Sequence, residues 1–414
     1  MKKRFILLHI LYLVVNFNFS QTIFGDKIES IFFKKYNNNI SSNILIGTLN
    51  ERFSISFDVL SGIEHDVYYE IEHCDFDWNK SNLSKTEYLQ GFDNLKIENI
   101  QSSFNTYQIY TNYQLELPNQ NIKFKKSGNY IIRFLNEYGD KLFERKFIIY
   151  ENLASVKSQI KRTRNLSLID KKQVVQFQVN PINFQINNPD KNLKFKIFKN
   201  NESALDFKNL KPLYKMGSKL IYDYDEELSF WGGNEFLYFD NKSIRNTDVE
   251  IMGYSLDELY STYLYSDIVR ANKKYTYNPD INGGFLINIT GSNEPNIEAD
   301  YSLVYFKLNA FNIEKTSKIY IMGEFNNYQI NEKFKLEYNN TKNTFDLKIK
   351  LKQGFYNYKY VLTDSNNKIV EGMIRGNFDE TENKYSIIVY YRNFGERYDR
   401  VIGYGTASSE NISN

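Results

Sequence analysis

The chain has 414 residues, of which 42% are hydrophobic and 25% charged, and its 52 basic side chains nearly balance 50 acidic ones. This length exceeds one ordinary hydrophobic core, so two or three domains are expected. Near-neutral charge argues against nucleic acid or an anionic membrane as the main partner, because either would favour a basic face. The 34 tyrosines and 32 phenylalanines can fill several cores, and the single cysteine, Cys74, excludes an intrachain disulfide.

Residues 1–20 have the layout of a secretory signal peptide. Residues 2–4 are basic, and residues 5–15 form an apolar run of 11 residues. This run is shorter than the roughly 20 residues that a membrane-spanning helix needs. Cleavage near Ser20–Gln21 would leave an exported chain. No later stretch is long and apolar enough to span a bilayer as a helix, so the mature protein is expected to be soluble. It is not expected to be a lipoprotein, because Cys74 lies far from the leader.

Alternation of apolar and polar residues with period two dominates the rest of the chain. Phe53, Ile55 and Phe57 share one face of a predicted strand, and residues 345–352 alternate in the same way. Such a pattern is typical of strands that cover a core on one side and meet water on the other. The stretch 254–269 fits either a helix or a strand, and strand is favoured. The predicted fold class is all-β, with tandem immunoglobulin-like β-sandwich domains.

Turn-rich and polar stretches suggest the domain boundaries. A first sandwich is expected at about 21–150, a middle one at 155–292 and a last one at 300–405. Residues 151–165 are interpreted as a linker, and residues 406–414 as a flexible polar tail.

The segment HCDFDW (73–78) contains side chains that could bind a metal ion, namely His73, Cys74, Asp75 and Asp77. A structural role is the preferred interpretation. In a strand, His73 and Cys74 would point to opposite faces, and the two aspartates would cap a turn. Trp78 would then return to the core. No metal site is therefore predicted.

The segment WGGNEFLYFD (231–240) combines a glycine pair with aromatic residues. Gly232 and Gly233 are expected to form a tight turn with positive φ. The turn would gather an aromatic cluster, which could be either a buried corner or an exposed partner interface. Its candidate interface residues are Trp231, Phe236, Tyr238 and Phe239.

The segment YYRNFGERYDRVIG (390–403) places arginines among aromatic residues. Arginine can stack on aromatic rings and thereby rigidify a segment, or it can bind carboxylates of a partner. Both roles remain open. The candidate partner residues here are Arg392, Phe394, Arg397 and Tyr398.

Together with VYYEIEHCDFDW (67–78) and SSFNTYQIYTNYQLELPN (102–119), these two segments resemble the plug protein family of the type IX secretion system of Bacteroidota. The resemblance covers nearly the whole mature chain. It implies a periplasmic protein, expected to be a monomer on its own, that binds the SprA-type outer-membrane translocon barrel. By this resemblance the plug closes the periplasmic opening of the barrel when no cargo is present.

A second resemblance lies in the last predicted domain. IYIMGEFNNY (319–328) and LKQGFYNYKYVLTD (351–364) look like the early-set immunoglobulin-like modules that bind glycogen-type glucans. Tyr328 stands where those modules carry a sugar-stacking tryptophan, which gives an alternative function as a carbohydrate-binding protein. The sequence has no Ser-His-Asp set, nucleophile elbow or HExxH motif. No enzymatic activity and no cofactor are predicted.

Overall fold

The computed structural model describes residues 27–92, 94–410 and 412. The predicted signal peptide lies outside these residues. Within them nearly all of the regular secondary structure is strand, which confirms the predicted all-β class of tandem sandwiches. The ambiguous stretch 254–269 contains strands and no helix, as favoured. No helix in this part of the chain is long and apolar enough to cross a membrane.

The first sandwich contains eleven strands and one short helix. One sheet has the order β1-β3-β8-β7, the other has the order β2-β11-β10-β4-β6, and β5 and β9 form a separate pair. Apolar rows from both large sheets meet in a core that includes Phe57, Tyr113 and Phe134. The elements are β1 (Ile28–Lys35), β2 (Ile44–Thr48), β3 (Phe53–Val59), β4 (Tyr68–Cys74), α1 (Lys85–Tyr88), β5 (Leu89–Gly91), β6 (Leu95–Lys96), β7 (Asn99–Ser102), β8 (Thr111–Leu117), β9 (Ile122–Phe124), β10 (Gly128–Leu135) and β11 (Lys141–Tyr150).

The middle sandwich begins with seven strands and a short helix. In its first sheet the order is β12-β13-β17-β16, with β18 also paired to β13, while β14 and β15 start the second sheet. The elements are β12 (Ala154–Arg162), β13 (Lys172–Pro181), α2 (Pro189–Asn192), β14 (Leu193–Lys199), β15 (Ser203–Phe207), β16 (Tyr214–Met216), β17 (Lys219–Tyr222) and β18 (Ser229–Trp231).

The strands of the third sandwich are connected into one ten-stranded sheet, and all of them except β22 contribute to a common core. Its main path is β19-β28-β25-β26-β27-β24-β21-β20, with β22 paired to β24 and β23 to β28. The elements are β19 (Leu237–Asp240), β20 (Ile251–Leu256), β21 (Tyr260–Leu264), β22 (Asp267–Ile268), β23 (Phe285–Ile287), α3 (Pro295–Glu298), β24 (Tyr301–Asn309), β25 (Lys318–Met322), the 3₁₀ turns Glu324–Asn326 and Glu332–Phe334, β26 (Lys335–Asn339), β27 (Thr344–Lys352) and β28 (Gly354–Thr363).

The chain then returns to the middle sandwich. Strands β29 (Lys384–Tyr391) and β30 (Arg400–Ser408) complete the sheet β15-β14-β29-β30. In its register, Leu193 lies opposite Tyr391 and Lys199 opposite Tyr385. The middle sandwich is therefore discontinuous in sequence, and the third sandwich is inserted into it.

This topology corrects the expected boundaries. Strands β19 to β23 belong to the third sandwich although they were expected in the middle one, and β29 and β30 belong to the middle sandwich rather than the last. The expected linker at 151–165 is mostly strand β12. The expected tail begins too early, because β30 continues to Ser408 and Ser409 is buried. Strands β14 and β29 pair although roughly 190 residues separate them in the sequence. Alternation of apolar and polar residues is a local pattern, so it could not show to which sandwich these strands belong.

Candidate interaction surface and domain junctions

The first and middle sandwiches meet where the segments 73–78 and 390–403 contact each other. The backbone N–H of Phe76 donates to Asp399 Oδ2 at 3.0 Å, and the Phe76 ring packs edge-on against Tyr390, with centroids 4.9 Å apart. The Tyr390 hydroxyl donates to Asn129 Oδ1 at 2.6 Å. Asp399 is buried and also accepts from Lys194 Nζ at 2.8 Å. This junction is therefore a buried polar network with aromatic packing around it.

The HCDFDW segment is structural, as preferred. Asp75 Oδ1 accepts the backbone N–H groups of Asp77 and Asn79, both at 2.9 Å, which is the expected turn capping. Burial raises the pKa of the Cys74 thiol to about 12, so the thiol stays protonated. In the described part of the chain no cluster of three or more His, Cys, Asp or Glu side chains could hold a metal ion. Phe76, rather than Trp78, fills the core position, and Trp78 is half-buried.

The first and third sandwiches meet around a buried ion pair that sequence reasoning missed. Lys352 Nζ lies 2.7 Å from Asp58 Oδ2, and both side chains are almost fully buried. The same carboxylate accepts from the Tyr301 hydroxyl and from Asn112 Nδ2, both at 2.7 Å. Lys352 also donates to the backbone oxygen of Asn296 at 2.7 Å. Burial lowers the pKa of Lys352, and Asp58 opposes that shift.

Glu324 and Arg145 face each other across the same junction without the full set of hydrogen bonds. Glu324 Oε2 and Arg145 Nε are buried and have no hydrogen-bond partner. Burial raises the pKa of Glu324 to about 8, against which Ser41 and Arg145 act. Burial lowers the pKa of Arg145 to about 10. Burial thus disfavours the charged form of both groups.

The WGGNEFLYFD segment carries the chain from the middle to the third sandwich. Gly233 has the expected positive φ, 74°, but Gly232 does not, and residues 232–236 are an irregular connection rather than a tight turn. A side chain at Gly232 would bring a Cβ within 1.9 Å of the Phe378 backbone oxygen. The chain that returns to the middle sandwich donates from the Phe378 backbone N–H to the Gly233 oxygen at 2.9 Å, so the two crossing segments are hydrogen-bonded to each other. The close approach explains why glycine is required here.

The aromatic residues of that segment are mostly covered. Phe239 is fully buried in the core of the third sandwich, and Phe236 is 4% exposed. Tyr238 is half-buried and stacks on Phe355, and Trp231 is half-buried with Lys172 Nζ 4.8 Å from its ring centroid. Of the two interpretations left open, the buried corner is correct for Phe236 and Phe239.

Tyr328 also lies in the interior. It is 8% exposed and belongs to a buried cluster with Phe236, Tyr320 and Met322. Its ring therefore has no open face on which a sugar could stack, and the sugar-stacking expectation for Tyr328 is wrong.

The segment 390–403 differs, because it contains an exposed turn between β29 and β30. The Phe394 side chain is 99% exposed, although the turn that carries it is well bonded. Arg392 Nε donates to the Glu396 backbone oxygen at 3.1 Å, and Asn393 N donates to Glu396 Oε2 at 2.9 Å. Gly395 has a φ of 82°. We call residues 392–397 the Phe394 turn.

The residues beside the turn attach it to the first sandwich. Arg397 pairs with Glu87, and Tyr398 packs edge-on against His73, with centroids 5.6 Å apart. Arg400 makes two hydrogen bonds to Glu151, at 2.8 and 2.7 Å. Arg397 and Arg400 thus rigidify this segment, while Phe394 stays free to contact a partner.

Two comparisons bear on what this molecule is. The family model described as "Type 9 secretion system plug protein 1st domain" matches residues 28–151, which is the first sandwich. A crystal structure of a hypothetical protein from Parabacteroides merdae ATCC 43184, at 2.30 Å resolution, is similar over 92% of this chain and 97% of its own. The two share 32% sequence identity, with a TM-score of 0.86.

The chain belongs to the type IX secretion system plug protein family. The matched residues include two of the four segments that carry the resemblance, 67–78 and 102–119, and the match confirms the resemblance there. All four segments lie at junctions between sandwiches. The plug family is not an enzyme family. No curated protein matches the chain.

Proposed function

We propose that this plug-family protein binds the SprA-type outer-membrane translocon barrel from the periplasmic side. By occupying the opening it closes the barrel when no cargo is present. Family membership supports association with a component of the secretion system. Closure additionally requires a body that keeps its shape and a contact that can be released.

The arrangement of the three sandwiches carries this proposal. Each sandwich contacts the other two through polar groups: Asp399 at the first junction, Asp58 and Lys352 at the second, and the ion pair of Lys359 with Glu202 at the third. Three junctions arranged in a closed set resist hinge motion, because opening any one of them would strain the others. A rigid body of this kind suits occlusion of a channel.

The Phe394 turn is the proposed anchor on the barrel. An exposed aromatic ring on a bonded turn loses little conformational entropy when it enters a pocket, and such residues dominate binding energies at protein interfaces. Arg397 beside it lies at the surface. Release requires the plug to bind the empty barrel more tightly than the cargo-loaded barrel, since only differential affinity can shift such an equilibrium.

Co-purification from detergent-solubilised envelopes tests the proposal. The tagged wild-type protein should recover the translocon barrel, identified by mass spectrometry, and should recover less of it when cargo accumulates. Phe394→Ala should reduce recovery at least tenfold, which corresponds to about 1.4 kcal/mol. Phe311→Ala removes a ring that is 82% exposed on the third sandwich and is the matched control. Equal loss with both variants, or recovery of no barrel, would contradict the proposal.

A further inference from the structure

The outer face of the third sandwich carries a groove where β20, β21, β24 and β27 lie side by side. Tyr263 is opposite Tyr305 in the register, and Tyr305 is opposite Lys348. These side chains point away from the core, since the alternating neighbours Val304 and Ile349 are buried. The groove has a volume of about 380 Å³ and is open to solvent.

The floor of the groove is aromatic. The rings of Tyr263 and Tyr305 stack with centroids 4.7 Å apart at 28°, and Lys348 Nζ lies 5.4 Å from the Tyr305 centroid. At one end, the β20 register shifts between Ile251 and Gly253, which leaves Met252 as the extra residue of a β-bulge. Bulges redirect side chains, and Met252 lines the groove.

The walls of the groove are positively charged. Lys307, Lys342 and Lys348 line it, and none of the three forms an ion pair within the part of the chain that the structure describes. Asp346 is the one carboxylate among the lining residues, and it accepts hydrogen bonds from Asn339 and Thr344. A positive groove on a nearly neutral protein is complementary to an acidic ligand.

The groove opens onto a free sheet edge. Strand β20 ends the sheet order, and among residues 27–92, 94–410 and 412 no strand pairs with its outer side. Its side chains Met252, Tyr254 and Leu256 are each 44–51% exposed. An apolar edge with unpaired backbone groups can accept an added strand from another chain.

We propose that this groove, the Tyr263–Tyr305 groove, binds an extended polypeptide segment that carries acidic side chains. The distance from β20 to β27 is three strand spacings, about 14 Å, which four or five extended residues can span. The segment crosses the four strands, so its acidic side chains contact Lys342 and Lys348, and its apolar ones contact the tyrosine rings and Met252 at the free edge. Met252 offers an apolar contact at that end of the groove, which favours a polypeptide over an anionic saccharide. The proposal does not depend on what the Phe394 turn binds.

A synthetic peptide tests this site on the full mature protein. The probe is a fluorescein-labelled octapeptide of alternating leucine and glutamate, followed by fluorescence anisotropy, and its partner probe has glutamine in place of glutamate. The glutamate peptide should bind at least tenfold more tightly at low salt, and its affinity should fall as salt is added. The double variant Lys342→Glu/Lys348→Glu should weaken binding at least tenfold.

The matched control is Lys273→Glu/Lys274→Glu, which changes the charge by the same amount at exposed lysines outside the groove. It should leave binding within twofold of wild type. Equal binding of the two peptides would overturn the proposal, as would equal effects of the two double variants. Binding of dextran sulfate without binding of the peptide would overturn the choice of a polypeptide ligand.

Discussion

The two junctions made by the first sandwich differ in whether an exposed side chain lies next to them. The junction with the third sandwich is closed: Lys352 and Asp58 are almost fully buried and their charges are satisfied inside the protein. The junction with the middle sandwich begins with an equally buried carboxylate, Asp399, but five residues earlier the chain exposes Phe394. The buried Lys352–Asp58 pair can only hold the body together, whereas the junction at Asp399 lies next to an exposed side chain that can contact a partner. Substitutions at Lys352 or Asp58 should therefore change stability, whereas substitution of Phe394 should change binding.

The largest expected effect is at the closed junction. Lys352→Ala should lower the free energy of unfolding by about 3–5 kcal/mol, because it leaves the Asp58 carboxylate buried without its partner. Chemical denaturation measures this. The double variant Asp58→Asn/Lys352→Met should cost less than Lys352→Ala alone, since it leaves no buried charge. A loss below about 1 kcal/mol for Lys352→Ala would show that the junction is open to water.

A pH effect at the same junction should be the next largest. The pKa of Glu324 is raised by burial from 4.5 to about 8, so the folded protein binds this proton more tightly than the unfolded chain. The contribution of Glu324 to stability is therefore fully present below pH 4.5 and is lost as pH rises towards 8. The denaturant concentration at the midpoint of unfolding, measured between pH 5 and 9, should fall with rising pH for wild type. It should fall less steeply for Glu324→Gln. Parallel curves would contradict this assignment.

At the junction with the middle sandwich, Asp399→Ala should cost about 2 kcal/mol, because the Phe76 N–H and Lys194 lose a charged acceptor. The loss should be smaller than for Lys352→Ala, since Lys194 is partly exposed and can regain water. Asp399→Asn keeps an acceptor for the Phe76 N–H and is the matched variant. If Asp399→Ala destabilised more than Lys352→Ala, the contrast between the junctions would be reversed.

The smallest effect on stability is expected at Phe394. Phe394→Ala should change the free energy of unfolding by no more than about 0.5 kcal/mol, because the ring is 99% exposed and contributes no core contact. Thermal or chemical denaturation measures this alongside Phe239→Ala, which removes a fully buried ring and should cost about 3–5 kcal/mol. A large loss with Phe394→Ala would mean that the ring packs inside the protein.

Sequence alternation predicted strands well because it is local, but it could not say what covers each face. Lys348 and Lys352 lie in one polar row of β27, and water was expected over that row. Lys348 is exposed as expected, yet Lys352 is 2% exposed because the first sandwich covers the end of the strand. Lys196 in β14 is also buried although it alternates with the apolar residues Phe195 and Ile197, and it pairs with Asp206. Burial by another domain leaves no trace in period-two patterns.

The candidate interface residues show the same limit of prediction from sequence: their burial could not be read from the local pattern. Aromatic residues of similar density mark residues 231–240 and 390–403, but Phe239 is fully buried and Phe394 fully displayed. Glycine signalled a positive φ in both segments, at Gly233 and at Gly395. Phe239 is covered because its strand β19 pairs with β28 of the third sandwich, and the local sequence does not encode this pairing between distant strands.

The most direct test of the account measures ion conductance through the purified translocon barrel in planar bilayers. Wild-type protein added to the periplasmic side should reduce the conductance of the empty barrel, Phe394→Ala should require at least tenfold more protein for the same reduction, and Phe311→Ala should act like wild type. Conductance that is unchanged by wild-type protein, or blocked equally well by Phe394→Ala, would contradict the proposal that this rigid body closes the barrel through the Phe394 turn.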